Sequence, residues 1–193
     1  MNPLLAAISN IIPLSEELQA ELVKVIKCEE IRRDHFILVP GKIAKRVYFA
    51  EYGLVRAYYL HNGRELSSWF MREGDFIISI VSFFTQTPAE EYIKTVEDTK
   101  LWSISFDELQ GIYKKFIEFN IIGRLLTERY YVLSELRTHQ LRTYSAQDRY
   151  EYLLAQFPAI FQRVPLKHIA SHLAMTPETL SRLRKQGSTI KKF

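Results

Sequence analysis

The 193-residue sequence predicts an α+β protein. An N-terminal antiparallel β-roll, a double-stranded β-helix with flanking helices, precedes a long helix and a C-terminal pair of short helices. Three observations carry this. Between His35 and Ile104, short β-branched and aromatic runs alternate with turn residues at near-regular spacing, as in an antiparallel sandwich or barrel. From Ile112 onward an unbroken stretch repeats apolar residues at steps of four and three. Val164–Gln186 then reads as two helices around a tight turn. The division that follows is residues 1–111, 112–140 and 141–193.

Taken in order, residues 2–10 and 15–27 predict two helices separated by Pro13. Ser15 caps the second, and Glu16 and Glu17 lie in its first turn. The strand runs are 35–39, 46–50, 54–60, 66–71, 75–80, 91–96 and 100–104, punctuated by Pro40-Gly41, Gly53, Asn62-Gly63, Gly74 and Glu97-Asp98. Asn62-Gly63 is the strongest hairpin signal among them, because both central residues of a type I′ turn need positive φ. Helical grammar returns at Ser105, where Ser105-Phe106-Asp107-Glu108 fits a capping box.

In the long helix, Ile112, Phe116, Phe119, Gly123, Leu126, Tyr130 and Leu133 form one seam, and Ile122, Leu125, Val132 and Leu136 form a second stripe beside it. Two apolar flanks suit a helix buried against its own sheet on one side and a partner helix on the other. Phe116, Phe119, Gly123, Leu126, Tyr130 and Leu133 are the predicted homodimer interface, with Gly123 permitting close helix approach. The competing reading is a helix buried only within its own protomer. Beyond a polar hinge, Ser145 caps a helix ending at Pro158, in which Tyr150, Leu153, Leu154 and Phe157 share a face.

In the C-terminal pair, Ile169, Ala170 and Leu173 line one side of the first helix, and Thr176, Pro177 and Glu178 open the second as N-cap, N1 and first-turn acid. Leu180 and Leu183 face inward. Glu178, Thr179, Ser181, Arg182 and Lys185 face out, a polar and basic face suited to a major groove. Charge is placed accordingly. From Arg163 on, seven lysines and arginines stand against the single acid Glu178, leaving +6 there and −2 in the rest of the chain. A near-neutral body with a basic end fits a phosphate-binding module as readily as a solvated tail.

One cysteine, Cys28, excludes an internal disulfide and a four-cysteine cluster, and the Pro-interrupted N-terminus without basic residues is not a signal peptide. The longest apolar run, near Phe76–Phe84, is too short to span a bilayer, so the expectation is a cytosolic protein without membrane contact. His168 and His172 stand four apart but lack the acid that follows the first histidine in zinc proteases. They read as solvent-exposed or phosphate-facing, and no metal or cofactor is expected. No acid, base or metal cluster supports an enzyme.

The run Glu178-Thr179-Leu180-Ser181-Arg182 resembles the recognition helix of the Crp/Fnr family of bacterial transcription regulators, and the order of parts is similar to that family over nearly the whole chain. Two positions depart from it: Ala174 stands where the turn often has Gly, and Pro177 where well-known members have Arg. With only Gly187–Phe193 after Gln186, the two-stranded wing seen in many relatives is expected to be short or missing. The resemblance implies a cyclic-nucleotide-binding-like effector domain and a helix-turn-helix. It also implies double-stranded DNA and a second copy of the chain as partners, with RNA polymerase a further one.

On that resemblance, Arg182 reads a guanine edge, Glu178 accepts from a cytosine or orients Arg182, and Lys167, Thr176, Thr179 and Lys185 hold phosphates, with Ser181 on the same face. Family members that bind cyclic nucleotides place a Glu for the ribose and an Arg for the phosphate after the glycine matching Gly74. Here the Glu position falls near Ser79, and Ala89, Glu90 and Glu91 stand where the Arg should be, with Tyr92 beyond. Phe76, Ser79, Glu90, Glu91 and Tyr92 are the candidate effector pocket. Cyclic AMP is not the expected ligand, which leaves an unidentified effector. The rival reading is a ligand-sensing dimer that acts through protein partners and no longer binds DNA.

Overall fold

The structure, a computed structural model, describes residues 2–190, with side chains as far as Gln186; Lys191 and Lys192 lie outside the described residues. Contacts group the chain into two units. One holds the chain up to Ala57 together with Phe70–Tyr130, and the other holds Tyr58–Trp69 and the chain from Tyr131 onward.

The first unit opens with α1 (Pro3–Ser9), whose first two free amides are accepted by the Asn2 side chain, and α2 (Glu16–Val25), capped by Ser15 as predicted. Eight strands follow: β1 (Lys27–Ile31), β2 (Phe36–Leu38), β3 (Arg46–Tyr52), β4 (Val55–His61), β5 (Arg64–Met71), β6 (Phe76–Ile77), β7 (Tyr92–Thr95) and β8 (Thr99–Ser105). They form two four-stranded sheets, ordered β1-β8-β3-β6 and β2-β7-β4-β5. Pairing is antiparallel, with Trp102 of β8 opposite both Cys28 of β1 and Phe49 of β3. Gly53 has φ +96°, and a Cβ there would sit 2.7 Å from the Asp98 carbonyl oxygen, so only glycine fits that turn. Leu18, Leu22, Leu54, Ile77, Phe83 and Leu101 are fully buried and anchor this core.

Three features differ from the sequence reading. The helix predicted over 15–27 ends at Val25, and Lys27–Ile31, for which the sequence mostly predicts no element, is a strand; its residues are exposed almost throughout, so no alternation announces it. The run 75–80 is strand only over Phe76–Ile77, and α3 (Ile80–Thr85) follows. Ser82 holds that helix by accepting from the Ala44 amide at 2.9 Å and donating to the Thr87 carbonyl at 2.6 Å. The long helix is interrupted. Helix α4 (Phe106–Lys115), opened by the predicted Ser105–Glu108 capping box, ends where Phe116 turns extended, and α5 (Ile117–Thr143) begins after it. The Asn120 side-chain amide donates to the carbonyls of Tyr113, Phe116 and Ile117 around the break, supplying the carbonyls there with a donor.

In the second unit α6 (Ala146–Gln156) carries a Ser145–Asp148 capping box, and α7 (Ile160–Arg163), α8 (Leu166–His172) and α9 (Pro177–Ile190) follow. Helix α9 therefore takes in the start of the segment where a wing was considered. The β4–β5 turn is formed by Asn62 (φ 50°) and Gly63 (φ 72°), both left-handed as the sequence demands.

Candidate nucleic-acid interface

Helices α8 and α9 bury the faces the sequence assigns to them. Ile169, Ala170 and Leu180 are inaccessible, and Leu173 and Leu183 nearly so. The turn between them is left-handed at Ala174 (φ 51°), where the methyl group costs about 1 kcal/mol relative to glycine. Thr176 caps α9: its hydroxyl accepts from the Thr179 amide at 3.2 Å and lies 3.2 Å from the Thr179 hydroxyl.

With the leucines turned in, Pro177, Glu178, Ser181, Arg182 and Lys185 line a shallow open groove of about 470 Å³. The Glu178 carboxyl is held below its usual range, first by its own backbone N–H and then by the Thr176 hydroxyl, so it stays ionised at the helix N-terminus. Among the described residues no ion pair joins Glu178 to Arg182. The carboxylate thus serves the helix end and leaves the guanidinium aimed outward. Lys167 is exposed on α8. Arg184 instead lies over the Phe161 ring, 4.7 Å from its centroid.

The histidines of α8 depart from the solvent-exposed or phosphate-facing reading. His172 is 8 % exposed, with Nε2 3.1 Å from Nη1 of Arg137, and burial, then the charge of Arg137, pushes its pKa down to about 3. His168 Nδ1 lies 3.5 Å from a Glu65 carboxylate oxygen. Both are covered because residues of the β4–β5 hairpin pack on α8: the Ser171 hydroxyl donates to the Glu65 carbonyl at 2.7 Å and accepts from the Ser67 amide at 2.9 Å. A helix-facing pattern in sequence carries no trace of a hairpin a hundred positions away.

The predicted dimer seam is buried at its start and half-exposed further along. Phe116 and Phe119 are 6 % and 3 % exposed, and Leu126 and Leu133 are half-buried. A Cβ at Gly123 would collide with the Tyr113 phenol, and Phe119 lies 5.4 Å from that ring. The Tyr130 hydroxyl accepts from the Phe76 amide at 2.9 Å and donates to its carbonyl at 3.2 Å. Phe116 and Phe119 thus pack within the protomer, while Leu126, Tyr130 and Leu133 keep part of their surface exposed. Of the second stripe, Ile122 is buried, Leu125 is half-buried, and Val132 and Leu136 are exposed; Ile121, beside it, is exposed as well.

Around the candidate effector pocket, Phe76 stacks edge-on against Phe49 at 5.2 Å. Ser79 is 3 % exposed, and its carbonyl accepts from the Phe83 amide. Glu90 is exposed, Glu91 half-buried, and Tyr92 lies 5.7 Å from the Phe36 ring. Among the described residues no group of three or more His, Cys, Asp or Glu side chains could hold a metal, and no helix is long and apolar enough to cross a membrane.

Residues 28–116 match the family model described as cyclic nucleotide-binding domain. No curated protein sequence matches the chain. Among solved structures, FixK2 from Bradyrhizobium japonicum superposes with a TM-score of 0.72 at 21 % identity, covering 86 % of each chain. The c-di-GMP responsive global regulator CLP of Xanthomonas campestris gives 0.69 at 17 % identity, covering 92 % of this chain and 93 % of its own. A protein assigned to the crp/fnr family of transcriptional regulators from Eubacterium rectale gives 0.68 at 19 %, covering 93 % and 88 %. Residues 28–116 are thus similar to the cyclic nucleotide-binding domain family, and the chain shares the fold of these solved structures, one of them described as a transcriptional regulator of the crp/fnr family.

Proposed function

We propose that the protein is a homodimeric, sequence-specific DNA-binding regulator in which α8 and α9 form a helix-turn-helix and α9 enters the major groove. The observation that carries this reading is the division of α9 into a buried leucine face and an outward face bearing Glu178, Ser181, Arg182 and Lys185. Arg182 has no ion-pair partner among the described residues and is the side chain placed to read a guanine edge. Lys167, Lys185 and Thr179 stand as phosphate and register contacts, and Thr176 contributes mainly as the helix cap. Two copies join through the Ile121, Leu125, Val132 and Leu136 stripe of α5.

Replacing Arg182 by Ala is expected to cost about 1–3 kcal/mol of specific binding and to relax discrimination at one base pair. Fluorescence anisotropy on duplexes varied one base pair at a time checks this. An unchanged preference at every position would remove Arg182 from the role.

The effector domain does not use cyclic AMP. A guanidinium is what a cyclic phosphate needs, and Glu90 and Glu91 stand where the family has one. The Tyr130 hydroxyl also occupies the backbone groups of Phe76 at the start of the cassette segment, tying α5 to β6 by a protein side chain. Calorimetric titration with cyclic AMP should show no heat of binding at millimolar nucleotide. A micromolar dissociation constant would overturn this part of the reading.

A further inference from the structure

The turn between α8 and α9 has more hydrogen-bonding need than its own backbone can meet. The Met175 amide bonds the Ala170 carbonyl at 3.0 Å and the Ala174 amide bonds the Ser171 carbonyl at 3.1 Å, the pair of bonds that closes a helix on a left-handed residue. The next three carbonyls, of His172, Leu173 and Ala174, lie beyond these amides at the negative end of α8.

Two guanidinium groups meet all three. Arg137 of α5 donates from Nη2 to the His172 carbonyl at 2.8 Å. Arg149 of α6 donates from Nε to the Leu173 carbonyl at 2.8 Å and from Nη2 to the Ala174 carbonyl at 3.5 Å. Arg149 also donates from Nη1 to the Tyr144 carbonyl at 2.6 Å, in the hinge that follows α5. Among the described residues no carboxylate pairs with Arg137. Its guanidinium is met by the His172 carbonyl and imidazole and by the Trp69 ring at 5.7 Å. A guanidinium placed there for an ion pair would have an acid beside it; this one grips the turn.

We infer that Arg137 and Arg149 are positioning residues for DNA recognition, a clamp that ties the long helix and its hinge to the α8–α9 turn and so fixes where α9 presents Arg182. The inference rests on the DNA-binding reading. Only arginine suits the task, because Arg137 spans two acceptors and Arg149 three with a rigid fork, which the single ammonium of lysine cannot copy. The left-handed alanine increases the need for such support, since strained turns persist only where the surroundings over-determine them.

The test uses the full-length chain, a palindromic duplex enriched from a randomised pool by the wild-type protein, and a scrambled duplex of the same length and composition. Arg137→Lys and Arg149→Lys are each expected to lose about tenfold in affinity for the enriched duplex through lost fork geometry. Affinity for the scrambled duplex, which depends on charge, should stay within about twofold of wild type. Amide exchange at Ala174 and Met175 should accelerate in Arg149→Lys while the α6 amides of Leu153 and Leu154 keep their wild-type rates.

If the wild-type protein enriches a duplex and both variants bind it within about twofold of wild type, the clamp inference alone falls. Equal loss on both duplexes, or loss of the fold in both variants, would also overturn it, by marking the arginines as general supports of the domain. If the wild-type protein enriches nothing, the DNA-binding reading falls first and takes the clamp's purpose with it.

Discussion

A protein carrying Val132→Glu and Leu136→Glu together is expected to be monomeric and to lose roughly 10²–10⁴-fold in affinity for a duplex with two half-sites. Val132 and Leu136 are 55 % and 44 % exposed on α5, one helical turn apart. Two carboxylates on that stripe would face their own copies across a twofold axis, where like charges and lost apolar contact both oppose pairing. The effect on DNA is large because the second half-site is bound at the effective concentration set by the first. Sedimentation velocity reports the oligomeric state, and anisotropy with one and two half-sites separates the loss of avidity from damage to α9. A variant that remains dimeric would move the interface elsewhere. Changing Phe119, which sits in the protomer core, should instead unfold the first unit.

The second expected effect is acid sensitivity of the second unit. His172 is buried neutral with its pKa pushed down to about 3, by burial first and by the Arg137 charge second, whereas in the unfolded chain it titrates near 6.5. The unfolded state therefore binds the extra proton between these values, and stability falls as pH drops. The contribution is fully present above pH 6.5, about 2 kcal/mol of it is gone at pH 5, and the loss continues toward pH 3. Denaturant unfolding at pH 7.5 and pH 5.0 checks this, with His172→Gln as the control in which that share of the pH dependence disappears. An unchanged slope in His172→Gln would contradict this account.

Both effects turn on features that sequence conveys unevenly. Determinants confined to a few residues were legible. The Ser105–Glu108 box, the Ser15 and Ser145 caps, the Asn62-Gly63 turn and the Thr176-Pro177-Glu178 start of α9 all lie where the local pattern puts them, because each is satisfied by neighbours three or four residues away. Strand β1 was not legible, since five nearly exposed residues show no alternation. Nor was the break at Phe116, where the Asn120 side-chain amide reaches back to the carbonyls of Tyr113 and Phe116.

The α5 helix shows the limit most clearly. Its periodicity reveals two apolar stripes, but which one meets the protomer's own sheets depends on contacts such as Tyr130 with Phe76, 54 positions away. At the candidate site the outward residues of α9 follow from helix geometry alone. Their supports do not: Arg137 reaches the His172 carbonyl over 35 positions and Arg149 the Leu173 carbonyl over 24, and neither guanidinium has a sequence pattern that announces a carbonyl partner. The same holds for His168 and His172, whose four-residue spacing suggests a shared exposed face until the hairpin covers it.

The most direct measurement is selection of duplexes from a randomised pool by the full-length protein, followed by sequencing and by anisotropy across a salt series. A twofold chain presenting α9 twice predicts enrichment of an inverted repeat whose half-site centres lie about 34–36 Å apart, roughly one duplex turn, with affinity falling steeply as salt rises. Recovery of a single unrepeated half-site, or of no sequence preference at any salt concentration, would contradict it.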